Sequence, residues 1–224
     1  MQKNRITYGF LLMLFIGGTA HSAVLNGRIR VSGRPQGVNV ITIVYAESLD
    51  RPRSQPGVFT LTQKNKAFLP RVLPVPVGST VKFPNEDQIF HNIFSLSRPS
   101  PFDLGLYRAG TSMSRVFTTP AVYRVFCNIH PQMTAVILVL PTSYFIEADA
   151  EGNYRLDLPN GRYRIKAWSE RAQSPAVEIA VSGNFQTAEL SLDESGFVDL
   201  GHKNKFGQDY PPQAYESPRD VKPR

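Results

Sequence analysis

"YRVFCNIHPQMTAVILVL", Tyr123–Leu140, contains the only cysteine of the 224 residues, a histidine three positions later and a methionine three after that. "YRVF" alternates as a strand does and ends on Cys127; the loop around Pro131 turns the chain, and "AVILVL" resumes as a second strand. Cys127, His130 and Met133 therefore converge on one end of a β-structure. Taken singly, each has a plain reading: a buried thiol as a small hydrophobe, a histidine as a satisfied polar group, a methionine as core filling. Three soft donors within seven residues, in a chain with one Cys and four His, call for a joint explanation.

Working outward, the chain carries 18 Pro and 16 Gly and many short alternating runs bounded by turn residues, with no sustained helical period, which predicts an all-β fold. Twelve strand candidates can be written, among them "VLNGRIRV", "VNVITIVY", "RVLPVPVGSTVKF", "NIFSL", "NYRLDL", "RYRIKAW" and "TAELSL", enough for two small sandwiches. Ser97–Met113, rich in Pro, Gly and Ser, reads as a long ordered loop, and residues 200–224 lack apolar periodicity and read as a disordered tail.

A fourth donor comes from "TVKFPNEDQIFHNIFSL", which places His91 between two strand-like runs. His21 lies in the expected signal peptide and His202 in the expected tail, leaving His91 and His130 beside Cys127 and Met133. Two imidazoles, a thiolate and a weak thioether form a set suited to copper cycling between Cu(I) and Cu(II), because sulfur stabilises the reduced ion while imidazole accepts both states. Zinc rarely recruits methionine. Met113, in the long loop, is a weaker rival for the thioether position. A fold that left the His91 ring more than about 8 Å from the Cys127 sulfur would end this reading, since a shared ion requires about 2 Å from each donor.

The N-terminus begins "MQKNR", with Lys3 and Arg5, followed by "GFLLMLFIGG", far shorter than the roughly 20 apolar residues of a membrane span. Residues 1–22 are expected to be a signal peptide cleaved after Ser22, which predicts a periplasmic or secreted protein with no membrane span in its mature form. An uncleaved anchor is the alternative. Without Lys3 and Arg5 the formal charge falls from +7 to +5. The basic residues are scattered, so there is no stripe to bind nucleic acid. A lone cysteine in an exported chain cannot form an internal disulfide, which leaves a free thiol, an intermolecular bridge or a metal ligand.

Residues 58–141 resemble a cupredoxin: "CNIHPQM" has the compact Cys-x-x-His-x-x-Met spacing of amicyanin, and "GSTVKFPN" followed by "HN" is similar to the strand that supplies the first histidine. The resemblance implies a Greek-key β-sandwich with His91, Cys127, His130 and Met133 as ligands to one copper. It also implies that Asn92 braces the ligand loop with its side chain and gives its backbone N–H to the thiolate. Thr134 and Ala121 depart from the family pattern at turns beside this loop. The flanks, 23–57 and 142–199, resemble the two parts of a transthyretin-like carboxypeptidase regulatory domain through "GRPQG", "DAEGNY" and "LPNGRY", so the copper domain is either inserted into this small sandwich or one of two sandwiches in series. The whole chain is similar to exported plastocyanin-like proteins of the methylamine utilization type, although no residue here reads amine chemistry.

The expected function is therefore an electron carrier, not an enzyme, with a transient redox partner such as a periplasmic cytochrome or dehydrogenase. An oxidase or a nitrite reductase needs histidines for a second copper centre, more than the three left in the mature chain provide. A periplasmic copper chaperone or storage protein, or a non-catalytic β-sandwich interaction module, remain the alternatives. For the module, Tyr154, Tyr163 and Trp168 are expected in the core rather than on a sugar-binding platform.

Overall fold

A computed structural model describes residues 22–51, 54–183, 185–199 and 201–210. The expected signal sequence at 1–21 and the end of the expected tail at 211–224 lie outside the described residues. Among the described residues the structure is all-β, and no helix is long and apolar enough to cross a membrane.

The first sandwich draws strands from both ends of the chain. β1 (Ser22–Ser32) lies between β14 (Asn153–Pro159), with which it is antiparallel, and β17 (Phe185–Asp193), with which it is parallel. The facing sheet orders β13 (Phe145–Glu147), β2 (Thr42–Ser48), β15 (Gly161–Ser169) and β16 (Val177–Val181). Alternation decides which side chains enter: Tyr154, Leu156 and Leu158 of β14 are buried while Arg155 and Asp157 point out. They meet Val44, Ala46, Tyr163 and Ile165 from the other sheet in one core.

Between β2 and β13 the chain leaves this sandwich, builds a second one and returns. Gln55 N donates to Ser143 Oγ at 2.6 Å, so the exit and re-entry points are neighbours. The second sandwich has a five-stranded sheet in the order β6 (Val72–Pro76), β12 (Thr134–Leu140), β11 (Ala121–Phe126), β8 (His91–Ser95), β9 (Phe102–Tyr107). Opposite lie β10 (Ser112–Phe117), β7 (Ser79–Pro84) and β3 (Val58–Thr60), with the hairpin β4 (Thr62–Lys64) and β5 (Ala67–Leu69) beside them.

β12 explains why "TAVILVL" is apolar at nearly every position. Ala135, Ile137 and Val139 enter the core of the second sandwich with Phe83, Phe117 and Tyr123. Val136, Leu138 and Leu140 face the other way and pack with Ile43, Tyr45 and Trp168 of the first sandwich. Both faces of the strand are covered, so the usual alternation with polar residues is absent. Trp168 thus seals the joint between the two sandwiches, while Tyr154 and Tyr163 are buried in the core of the first.

Three expectations need correction. Ser97–Met113 is not one long loop, for it contains β9, an edge strand paired with β8 through an irregular register between Asn92 and Phe94. Gly105, at φ 74°, interrupts the alternation that would have revealed it. "RVLPVPVGSTVKF" is two strands, β6 and β7, which part at the positive-φ Gly78 and join different sheets. The stretch 201–210, expected to be disordered, is an irregular but hydrogen-bonded segment packed on the second sandwich.

Candidate metal centre

His91 opens β8, and the loop Cys127–Met133 joins β11 to β12, so both elements deliver their donors to the same end of the five-stranded sheet. The loop closes on itself by two backbone bonds, Met133 N to His130 O at 3.0 Å and Cys127 N to Met133 O at 3.2 Å. His91 Nδ1 and His130 Nδ1 are 3.1 Å apart, and the Cys127 sulfur lies 4.0 Å from the first and 3.7 Å from the second. Donors held about 2.0–2.3 Å from one shared ion are separated by roughly 3–4 Å, so these three atoms fit around a single metal. His91 and Cys127 are fully buried, and His130 alone of the three keeps a small exposure, 6%. His91, Cys127 and His130 are thus arranged as a possible copper site.

Met133 is fully buried, in the same core cluster as Cys127. Met113 sits on β10, paired with Phe83 and 37% exposed, and is not among the buried residues of that cluster.

Burial pushes the Cys127 thiol pKa up, and the backbone N–H groups of Asn92, Ile129 and His130 oppose it by hydrogen bonding to the sulfur. The Asn92 N–H therefore does reach the cysteine. Its side chain takes another course: Nδ2 donates to Asp103 Oδ1 on β9 at 2.8 Å, and its Oδ1 is buried without a hydrogen-bond partner. Asn92 ties the two neighbouring strands together through its side chain and hydrogen-bonds Cys127 through its backbone N–H.

Asp87 escaped the sequence reading. Its Oδ2 is 2.7 Å from His91 Nε2, which places the ring proton on Nε2 and leaves Nδ1 free to bind an ion. Asp87 is itself clamped by Asn65 N at 2.5 Å and Lys66 N at 2.9 Å. Those two residues form the turn between β4 and β5, both at φ 55°, the left-handed conformation that a tight two-residue hairpin requires. Burial alone would raise the Asp87 pKa, but the bonds from Lys66, His91 and Asn65 outweigh it and hold the carboxyl below its ordinary range. For His91 burial is the larger influence and lowers the pKa despite Asp87, so the ring is held neutral, as a ligand must be. Acids abound in "NEDQ", and nothing in the sequence singles out Asp87; only the hairpin reaching over it does.

The segment 201–210 also meets the site. His202 stacks on Phe126 with ring centroids 4.2 Å apart, and Tyr210 Oη donates to the Cys127 carbonyl at 2.9 Å.

No protein-family model matches the sequence, and no curated protein matches it. Among solved structures, a Cu-containing nitrite reductase from Thermus scotoductus SA-01 is 30% identical over 41% of this chain and 26% of its own length, with a TM-score of 0.36. The chain thus spans about a quarter of that enzyme. A reduced variant of amicyanin is 19% identical over 43% of this chain and 99% of its own, with a TM-score of 0.35. A purple cupredoxin from Nitrosopumilus maritimus is 24% identical over 38% of this chain and all of its own, with a TM-score of 0.32.

Proposed function

We propose that this chain is an exported type 1 copper protein that binds one copper ion and passes single electrons to and from a redox partner. The observation that supports this most is the meeting of His91 Nδ1, Cys127 Sγ and His130 Nδ1 within 4.0 Å of one another in a buried pocket. Met133 completes the set as the weak thioether ligand. When bound, copper supplies a one-electron couple between Cu(I) and Cu(II), for which this mixture of imidazole and sulfur is suited.

The protein's own contribution is rigidity and a tuned surround. Two strands and a closed loop hold the donors, so they need move little when the ion changes charge. Asp87 fixes the tautomer of His91, and three backbone N–H groups stabilise the thiolate. Ile93 and Phe94, both buried on β8, help to keep water from that end of the sheet. The reading is of a carrier rather than an enzyme, and the partner is a periplasmic cytochrome or dehydrogenase that docks transiently. The first sandwich serves as a scaffold, and a link to methylamine rests on resemblance alone.

Adding Cu(II) to the purified chain should give one equivalent of bound metal and an intense visible thiolate-to-copper absorption, which Cys127→Ser abolishes. A colourless or faintly coloured adduct would instead favour copper delivery or storage. Stopped-flow mixing of the loaded protein with periplasmic cytochromes tests the redox role directly.

A further inference from the structure

Beyond its own internal bonds, the ligand loop is contacted at three places by residues more than seventy positions later. Tyr210 Oη donates to Cys127 O at 2.9 Å, Lys205 N donates to Asn128 Oδ1 at 3.0 Å, and His202 Nε2 lies 2.7 Å from Pro131 O. The Lys205 ammonium also reaches Asp103 Oδ2 at 2.7 Å, and Asp103 holds the Asn92 side chain beside His91. One short segment therefore touches the loop that supplies Cys127, His130 and Met133, and the strand pair that supplies His91.

The contacts come from a folded unit. Asn204 is 8% exposed, its Oδ1 accepts Phe206 N and Gln208 N, and its own N–H donates to Gln208 O. The His202 ring lies nearly parallel to Phe126, at 22°, and Tyr210 packs edge-on against His202 with centroids 5.3 Å apart. Aromatic packing of this kind fixes a segment in one orientation, and the hydrogen bonds then fall on specific loop atoms.

We propose that His202–Tyr210 is a brace belonging to the metal centre: it holds the ligand loop in its binding conformation and slows both loop opening and loss of the ion. Tyr210 and His202 are positioning residues that act through Cys127 and Pro131. The inference builds on the copper reading for its metal-bound consequences, whereas its effect on the loop is a property of the metal-free chain as well. Losing one such hydrogen bond should raise the frequency of loop opening about fivefold, and losing two contacts about tenfold or more.

The test uses the full chain carrying Tyr210→Phe, His202→Ala, both together, and His202→Phe, which keeps the stack on Phe126 but not the bond to Pro131. In the metal-free protein, amide hydrogen exchange should rise about tenfold in the peptide covering Cys127–Met133 in the double variant and stay unchanged in β6 and β12. Exchange within twofold of the parent in that peptide would overturn the brace. Should the double variant exchange faster everywhere, Tyr210→Phe, which removes one oxygen atom, decides: a rise confined to the loop supports the brace and an unchanged loop overturns it. In the copper-loaded protein, removal of Cu(I) by bicinchoninate should accelerate by a similar factor in the double variant and recover in part in His202→Phe. The visible band should shift in Tyr210→Phe, which general loosening would not produce. If the parent chain binds no copper, the proposed function fails, and the exchange measurement still decides the brace.

Discussion

Replacing Asp87 by alanine should weaken copper binding without removing any ligand. In the native site His91 Nε2 is held by a carboxylate oxygen 2.7 Å away, and the ring is fully buried. Without Asp87 that N–H loses its charged partner, and the imidazole gains by moving its proton to Nδ1, beside His130 and Cys127. A proton on Nδ1 competes directly with the metal. Loss of a carboxylate that orients a metal-bound histidine costs about 10–100-fold in affinity, or about 1.4–2.8 kcal/mol. The alanine also frees the N–H groups of Asn65 and Lys66, so the β4–β5 hairpin loosens and the loss should lie toward the upper end. Asp87→Asn retains an acceptor of the same shape but no charge, and should fall near tenfold. Affinity is read by competition titration against a chelator of known strength, with thermal unfolding of the metal-free variants confirming that each is folded. A folded Asp87→Ala protein that binds copper within twofold of the parent would refute the argument.

Glu194, whose side chain is fully buried between Arg34 at 2.7 Å and Arg171 at 3.1 Å, should cost about 3–5 kcal/mol when changed to alanine, measured by urea unfolding, because two guanidinium groups lose their counter-charge. Burial alone would raise the pKa of that carboxyl, but Arg34, Ser169 and Arg171 hold it below 4.5. Its contribution is therefore complete above about pH 4.5 and is lost as the pH falls through the lower folded value, so a urea midpoint followed from pH 7 to 3 should drop less steeply in Glu194→Gln. Gly27→Ala places a methyl 1.9 Å from Ala188 O and 2.4 Å from the Tyr154 hydroxyl, and should lower the melting temperature by forcing β1 away from β17. Trp168→Ala removes the largest side chain at the joint between the sandwiches; a loss of about 3–5 kcal/mol should uncouple them and split one calorimetric transition into two.

Much of the site could be read from the sequence because it is local. Cys127, His130 and Met133 share one turn between two strands, and the spacing alone brings them together. His91 was legible because it interrupts two apolar runs at the boundary of a strand. Asp87 was not, because its role depends on a hairpin at Asn65 and Lys66 that lies more than twenty residues earlier. The segment 201–210 was misread for a related reason. Its order comes from side chains bonding to backbone atoms of a distant loop, and such bonds leave no periodicity. β9 was hidden by Gly105 and by its proline- and serine-rich surroundings, whereas β14 and β17 alternate cleanly and were found. The double burial of β12 gave an apolar run that marks a strand but does not say that its second face meets Trp168 and Tyr45.

The neighbouring exit and re-entry points at Gln55 and Ser143 have a practical consequence. A protease that nicks one of the two connections leaves the metal-bearing half attached through the other, and only a second cut sets it free. A single terminal linker would offer no such redundancy.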